Sequence, residues 1–146
     1  MFGAATTRAI ALDAMGGDRG PVEVARGMAI ALEDPSFAES FDEVLMVGDE
    51  KVLRPALREA GIAGDRRVEV HHASEVIGMD EKPLQSLKRK PDSSMVRALE
   101  LVREKRASAL LSCGNTGSLM AGGTLRIRPL PGVERPALAT IIPTRE

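Results

Sequence analysis

At 146 residues the chain can form one domain with a sizeable core, and 43% hydrophobic with 28% charged residues describes a globular protein. A formal net charge of −1 gives no broad electrostatic basis for nucleic-acid binding, and 2% aromatic residues, with no Trp or Tyr, argue against base-stacking platforms. The one cysteine, Cys113, cannot close an internal disulfide, so a reducing, cytoplasmic compartment is expected; no apolar run is long enough to span a membrane, and the opening M-F-G-A-A-T-T-R lacks a signal-peptide pattern.

Arg8 to Asp13 reads as a first strand buried on both faces. A glycine-rich turn, Ala14 to Gly20, follows it. Pro21 suits the first position of a helix, and Val22, Ala25, Ala29 and Leu32 recur at helical spacing, which predicts a helix from Pro21 to about Glu33. Asp34-Pro35-Ser36 ends it. Glu43 to Gly48 is a second strand. Asp49 is an N-cap for a helix with Leu53, Ala56, Leu57 and Ala60 on one face, stopped by Gly61. Arg67 to His72 is a third strand. The order β-α-β-α-β predicts a parallel sheet with helices on both faces.

Ala73 to Lys82 reads as a loop and Pro83 to Lys90 as a short helix ending in Lys88-Arg89-Lys90. Asp92, Ser93 or Ser94 can cap the next helix, which buries Met95, Leu99 and Val102. Ala109-Leu110-Leu111 fits a buried strand, interrupted by Gly114-Asn115-Thr116-Gly117 and followed by helix-compatible residues. Arg128 to Arg135 is a connection, and Pro136 to Ile142 a last strand. No closing helix follows that strand, so the sequence reads as the amino-terminal part of a longer protein.

Two glycine-rich turns thus follow two strands. In a parallel sheet both lie at the carboxyl edge, where ligands bind. Free N–H groups at a helix start, backed by the helix dipole, favour phosphate or another oxyanion. Gly16, Gly17, Gly114, Asn115, Thr116 and Gly117 are the candidate binding residues, with Asn115 or Thr116 capping the helix or bonding the ligand. Asp13 and Asp18 flank the first turn; they hold a metal, orient a substrate hydroxyl, act as a base, or simply bond turn amides and cap the next helix. Neither turn carries the Gly-Lys-Ser/Thr or G-x-G-x-x-G signature of common nucleotide sites. Cys113, beside a helix start, reads as a small buried residue rather than a nucleophile. His71 and His72 are adjacent on a strand and point to opposite faces, which argues against a shared metal. Lys88-Arg89-Lys90 is the dense positive patch: a solvated helix end, or a docking point for an acidic protein or for the phosphates of a pantetheine-type cofactor.

Together these pieces resemble a known family. Ile10-Ala11-Leu12-Asp13-Ala14-Met15-Gly16-Gly17-Asp18, Val47-Gly48-Asp49, Ala73-Ser74-Glu75-Val76-Ile77, Ser93-Ser94-Met95-Val96, Ser112-Cys113-Gly114-Asn115-Thr116-Gly117 and Arg135-Pro136-Ala137-Leu138-Ala139 match, in order, blocks of the bacterial phosphate acyltransferases, the PlsX family. Cys113 stands where the family loop has Ala. The resemblance implies a three-layer αβα fold similar to isocitrate and isopropylmalate dehydrogenases, here incomplete. It implies reversible transfer of a long-chain acyl group from acyl carrier protein to inorganic phosphate, giving acyl phosphate for phospholipid synthesis. It further implies a homodimer, cytoplasmic and associated with the membrane surface; no cofactor and no metal are expected. Within that reading Asp13 and Asn115 are the catalytic candidates. Asp13, Gly16, Gly17, Asp18 and Gly114 to Gly117 line the phosphate cleft, and Lys88, Arg89 and Lys90 meet the carrier protein. The rivals are a phosphotransacetylase acting on coenzyme A thioesters and a non-catalytic phosphate- or acyl-phosphate-binding module.

Overall fold

The computed structural model describes residues 8–140. Strands β1 (Ala9–Asp13), β2 (Glu43–Gly48), β3 (Val68–His72) and β4 (Ala109–Ser112) form one sheet in the order β3-β2-β1-β4. Every pairing is parallel, in the registers Asp13↔Val47, Asp13↔Ser112 and Val47↔His71. Helices α1 (Gly20–Glu33) and α3 (Glu50–Glu59) cover one face, α5 (Ser94–Arg103) the other. The chain steps from β1 to β2 to β3 in one direction, then crosses back past β1 to lay down β4. Right-handed crossovers taken in opposite directions place their helices on opposite faces, which builds the three layers. The reversal falls between β1 and β4.

Alternation along β1 sorts the core. Leu12 joins Met28, Leu32, Val44, Met46, Leu53 and Leu57 under α1 and α3. Ala11 joins Leu45, Val47, Ala98 and Leu101 under α5. A third cluster, Ile77, Leu87, Met95, Val96 and Leu99, packs α5 against α4 (Pro83–Arg89) and α6 (Thr116–Gly122). The helix ends follow local chemistry. Asp49 Oδ1 accepts from Lys51 N at 2.9 Å, and Gly61 takes φ +75° just beyond α3.

Several sequence expectations change. Asp34 ends α1 but also caps a further short helix, α2 (Pro35–Ser40), by accepting from Ser36 N at 2.8 Å. α6 runs on into a π-helical turn, Gly123–Ile127. β4 is an edge strand, not a buried one: Leu111 is 55% exposed, because no described strand pairs beyond it. The expected last strand is not formed over its described part. Pro136 to Thr140 are exposed and irregular, since no neighbouring strand supplies a ladder, and Ile141 and Ile142 lie outside the described residues. Cys113 is exposed rather than buried, because its turn sits at the open end of that edge strand.

Met46, fully buried in the first cluster, should lose about 2–5 kcal/mol on Met46→Ala. Gly27, exposed on α1 and with open space where a Cβ would stand, should instead gain about 0.5–1 kcal/mol on Gly27→Ala. Urea denaturation of both variants checks the pair.

Candidate functional site

The β1–β4 register sets Asp13 directly beside Ser112. Asp13 is only 2% exposed. Its Oδ1 accepts from Gly16 N at 3.2 Å, and its Oδ2 from Ser112 Oγ at 2.7 Å. Ser112 Oγ in turn accepts from Gly114 N at 3.0 Å. One carboxylate therefore ties both glycine turns together. The turns touch: a Cβ on Gly16 would stand 2.6 Å from Asp13 Oδ2 and 3.0 Å from the Gly114 backbone. Gly17 has φ +97°, a region that side chains other than glycine rarely adopt. Glycine is required here by close approach and by backbone conformation.

The amide hydrogens divide into two sets. Those of Gly16 and Gly114 are spent on Asp13 and Ser112. Those of Thr116 and Gly117, in the first turn of α6, have no acceptor among the described residues, and both residues are exposed. Asn115 caps α6, its Oδ1 accepting from Ser118 N at 2.9 Å. Its Nδ2 donates to the carbonyls of Gly78, Met79 and Glu81 at 3.3, 2.9 and 3.1 Å. Both ends of the Asn115 side chain are thus engaged within the protein; it holds the 73–82 loop against α6.

That loop is pinned at its other end by Asp92, which accepts from Ser74 N at 3.0 Å and also from Ser74 Oγ and Arg97 Nε. These bonds, the Ser74 hydroxyl first and then Arg97, lower the Asp92 carboxyl to about 2. Lys90 reaches back to the Val76 carbonyl and to Glu81, holding the Glu81 carboxyl below its ordinary value. Of the basic triplet, Lys88 and Arg89 are exposed and Lys90 is half-buried in this ion pair.

Asp18 is exposed at the rim, and Cys113 is in contact distance of the Gly17 turn. An apolar groove of about 520 Å³ opens there and runs between α1 and the β4 side of the sheet, floored by Ile10, Leu12 and Leu111 and walled by Val24, Met28 and Phe37. His71 and His72 lie on β3, three strand spacings or about 14 Å from β4, so neither sits beside Cys113. Among the described residues no cluster of three or more His, Cys, Asp or Glu could hold a metal ion, and no helix is long and apolar enough to cross a membrane.

Sequence reasoning missed Ser112. Its role arises from standing opposite Asp13, and the identity of β1's second neighbour is not written locally in the chain.

This arrangement defines a doubly wound α/β protein whose candidate site lies at the carboxyl edge, where strand order reverses. The chain belongs to the family described as "Fatty acid synthesis protein", whose model matches residues 8–146. It is 44% identical to a phosphate acyltransferase of Heliobacterium modesticaldum over 137 residues, covering 94% of this chain and 39% of that protein. It is 49% identical to that of Ectopseudomonas mendocina over 138 residues, covering 92% and 39%, and 47% identical to that of Myxococcus xanthus over 135 residues, covering 92% and 36%. The chain spans about two fifths of the length of these relatives, matching an amino-terminal portion.

Gly16→Ala should push the two turns apart and lower the melting temperature, while circular dichroism keeps its α/β shape. Asp92 carries the sharper pH signature. Its folded-state value lies below the ordinary carboxylate value of about 3.9, so its stabilisation is complete above that pH and is lost as pH falls through about 2. Acid unfolding of Asp92→Asn should show a shallower decline of stability over that window than the parent protein.

Proposed function

We propose that the protein works in transfer of a long-chain acyl group from acyl carrier protein to inorganic phosphate, forming acyl phosphate for phospholipid synthesis. The observation that carries this reading is the pair of glycine turns locked together by Asp13 and Ser112 at the strand-order reversal. The names of the relatives supply the reaction class. The apolar groove opening at the same rim suits a long alkyl chain better than an acetyl group.

In this reading a phosphate oxygen attacks the thioester carbonyl carbon. The carbonyl oxygen becomes an oxyanion, which then collapses as the carbon–sulfur bond breaks and the thiolate leaves. The reaction needs a dianion held against a carbonyl and donors aimed at the developing negative charge. The N–H groups of Thr116 and Gly117 are such donors. Asp13 and Ser112 hold them in register, and Asp18 stands at the entrance. Lys88 and Arg89 offer positive charge to an acidic carrier protein, with Lys90 anchoring that helix end through Glu81. Residues 1–146 are then the amino-terminal part of a single α/β acyltransferase, and the further length of its relatives supplies the remaining site residues and the surfaces for homodimerisation and for contact with the cytoplasmic face of the membrane.

Incubation of the full-length protein with long-chain acyl carrier protein and labelled phosphate tests the reading. Acyl phosphate is the expected product. Turnover with acetyl coenzyme A alone would favour a phosphotransacetylase, and binding without turnover a non-catalytic module. Ser112→Ala should leave Asp13 Oδ2 without its hydroxyl partner, loosen the register of the two turns, and lower kcat about a hundredfold. Reversing Lys88 and Arg89 to Glu should raise KM for the carrier protein and flatten its salt dependence.

A further inference from the structure

Helix α5 starts at the same sheet edge as the two glycine turns, because a crossover helix runs back against its strands. Ser93 stands at its N-cap position and Ser94 is its first residue. Both are fully buried, yet neither hydroxyl has a hydrogen-bond partner among the described residues. Ser93 does not cap the helix with its side chain, although that is the usual work of a serine placed there. The N–H groups of Met95 and Val96, which precede the first intrahelical bond from Arg97 N to Ser93 O at 2.9 Å, also lack acceptors among the described residues.

The direction of these groups follows from helical spacing. Ser94, Ala98 and Leu101 share one face, and Ala98 and Leu101 pack on Ala11, Leu45 and Val47 of the sheet. Ser94 therefore faces the sheet one turn nearer its carboxyl edge. On β1 the residue after Ala11 on that face is Asp13. Ser94 thus faces the edge at which Asp13 and Ser112 join the turns, with Ser93 beside it at the helix start.

An unsatisfied buried hydroxyl ordinarily destabilises a protein, and two in succession at the positive end of a helix dipole form a ready set of donors for an anion. The neighbouring carboxylates are already taken up. Asp92 is bonded to Ser74 and Arg97, Glu75 accepts from Asp92 N, and Asp13 from Gly16 and Ser112.

We infer that the Ser93 and Ser94 hydroxyls, with the N–H groups of Met95 and Val96, form the subsite that binds the inorganic phosphate. The Thr116–Gly117 amides are then left for the oxyanion of the thioester carbonyl. Glu75 lies across the subsite, with its carbonyl on Ser94 N and a strand-like bridge to Ser93. Because both serines are fully buried, access to the subsite requires displacement of the 73–82 loop, which Asp92, Lys90 and Asn115 hold in place. This inference rests on the acyl-to-phosphate reading, but its test does not depend on turnover.

The test is titration of the protein with inorganic phosphate alone, by calorimetry and by thermal shift, in the parent, Ser94→Ala and Ser93→Ala/Ser94→Ala. The expected result is a phosphate-dependent rise in melting temperature for the parent and binding weakened about tenfold or more in the variants. Without phosphate the variants should be as stable as the parent or more so, since the lost hydroxyls had no partner. Unchanged phosphate affinity together with lower stability would mean that the serines only cap the helix, and would overturn the inference. Absence of phosphate binding to the parent would overturn it as well. If the double variant does not fold, the comparison is made on Ser94→Ala by the same criteria. Phosphate binding that depends on these hydroxyls without acyl transfer would strike the proposed reaction and leave the subsite standing. Acyl transfer with an unaltered phosphate KM in Ser94→Ala would do the reverse.

Discussion

The site depends on a single buried carboxylate. Asp13 has little solvent to hydrate it and, among the described residues, no cation bonded to it; its two oxygens are occupied by one amide and one hydroxyl from separate turns. Burying a charge is tolerated only where hydrogen bonds replace water. That requirement turns an electrostatic liability into a geometric constraint. The Gly16 turn and the Ser112–Gly114 turn must both be in place for Asp13 to be satisfied, so the two loops are positioned together or not at all. The contact is so close that side chains have no room in it.

The reversal of strand order is what brings those turns together. β1 is central and takes β2 on one side and β4 on the other, although β4 comes almost a hundred residues later in the chain. The same reversal moves α5 to the opposite face from α1 and α3. Helix starts from both layers then converge on one edge with their favourable dipole ends, and those of α5 and α6 carry amides without an acceptor among the described residues, whereas the first turn of α3 is bonded to Asp49 and His72. The apolar groove is a consequence of the same layout. α1 leaves the β4 side of the sheet open, so Leu111, with Ile10 and Leu12 beside it, lines a groove along the helix. A polar, donor-rich edge and an apolar channel thus meet at Gly16 and Gly17.

Asn115 connects this edge to the 73–82 loop. Its oxygen starts α6 and its nitrogen gathers carbonyls from that loop, so a single amide couples the second glycine turn to the segment lying over α5. Glu81 extends the connection to Lys90 and hence to the basic end of α4. The basic end of α4, the 73–82 loop and the second glycine turn are thus joined by one chain of polar side-chain contacts.

Much of the fold was legible locally. The Glu43–Gly48 strand, the Asp49 cap, the Gly61 stop and the helical face of Leu53, Ala56 and Leu57 follow from spacing and turn chemistry alone, because those preferences act within a few residues. The two glycine turns and Asp13 were recognisable for the same reason, and the order of the blocks named the family. Other features were not legible. The exposure of Leu111 and Cys113, the pairing of Ser112 with Asp13, the occupied side chain of Asn115 and the unpartnered hydroxyls of Ser93 and Ser94 each depend on which strand or loop lies alongside. The amino-acid sequence by itself determined the elements and the chemistry each could offer. Only the tertiary structure decided which of those groups spend their hydrogen bonds on one another and which remain for a ligand, because that outcome is set by neighbours brought together through crossovers tens of residues long.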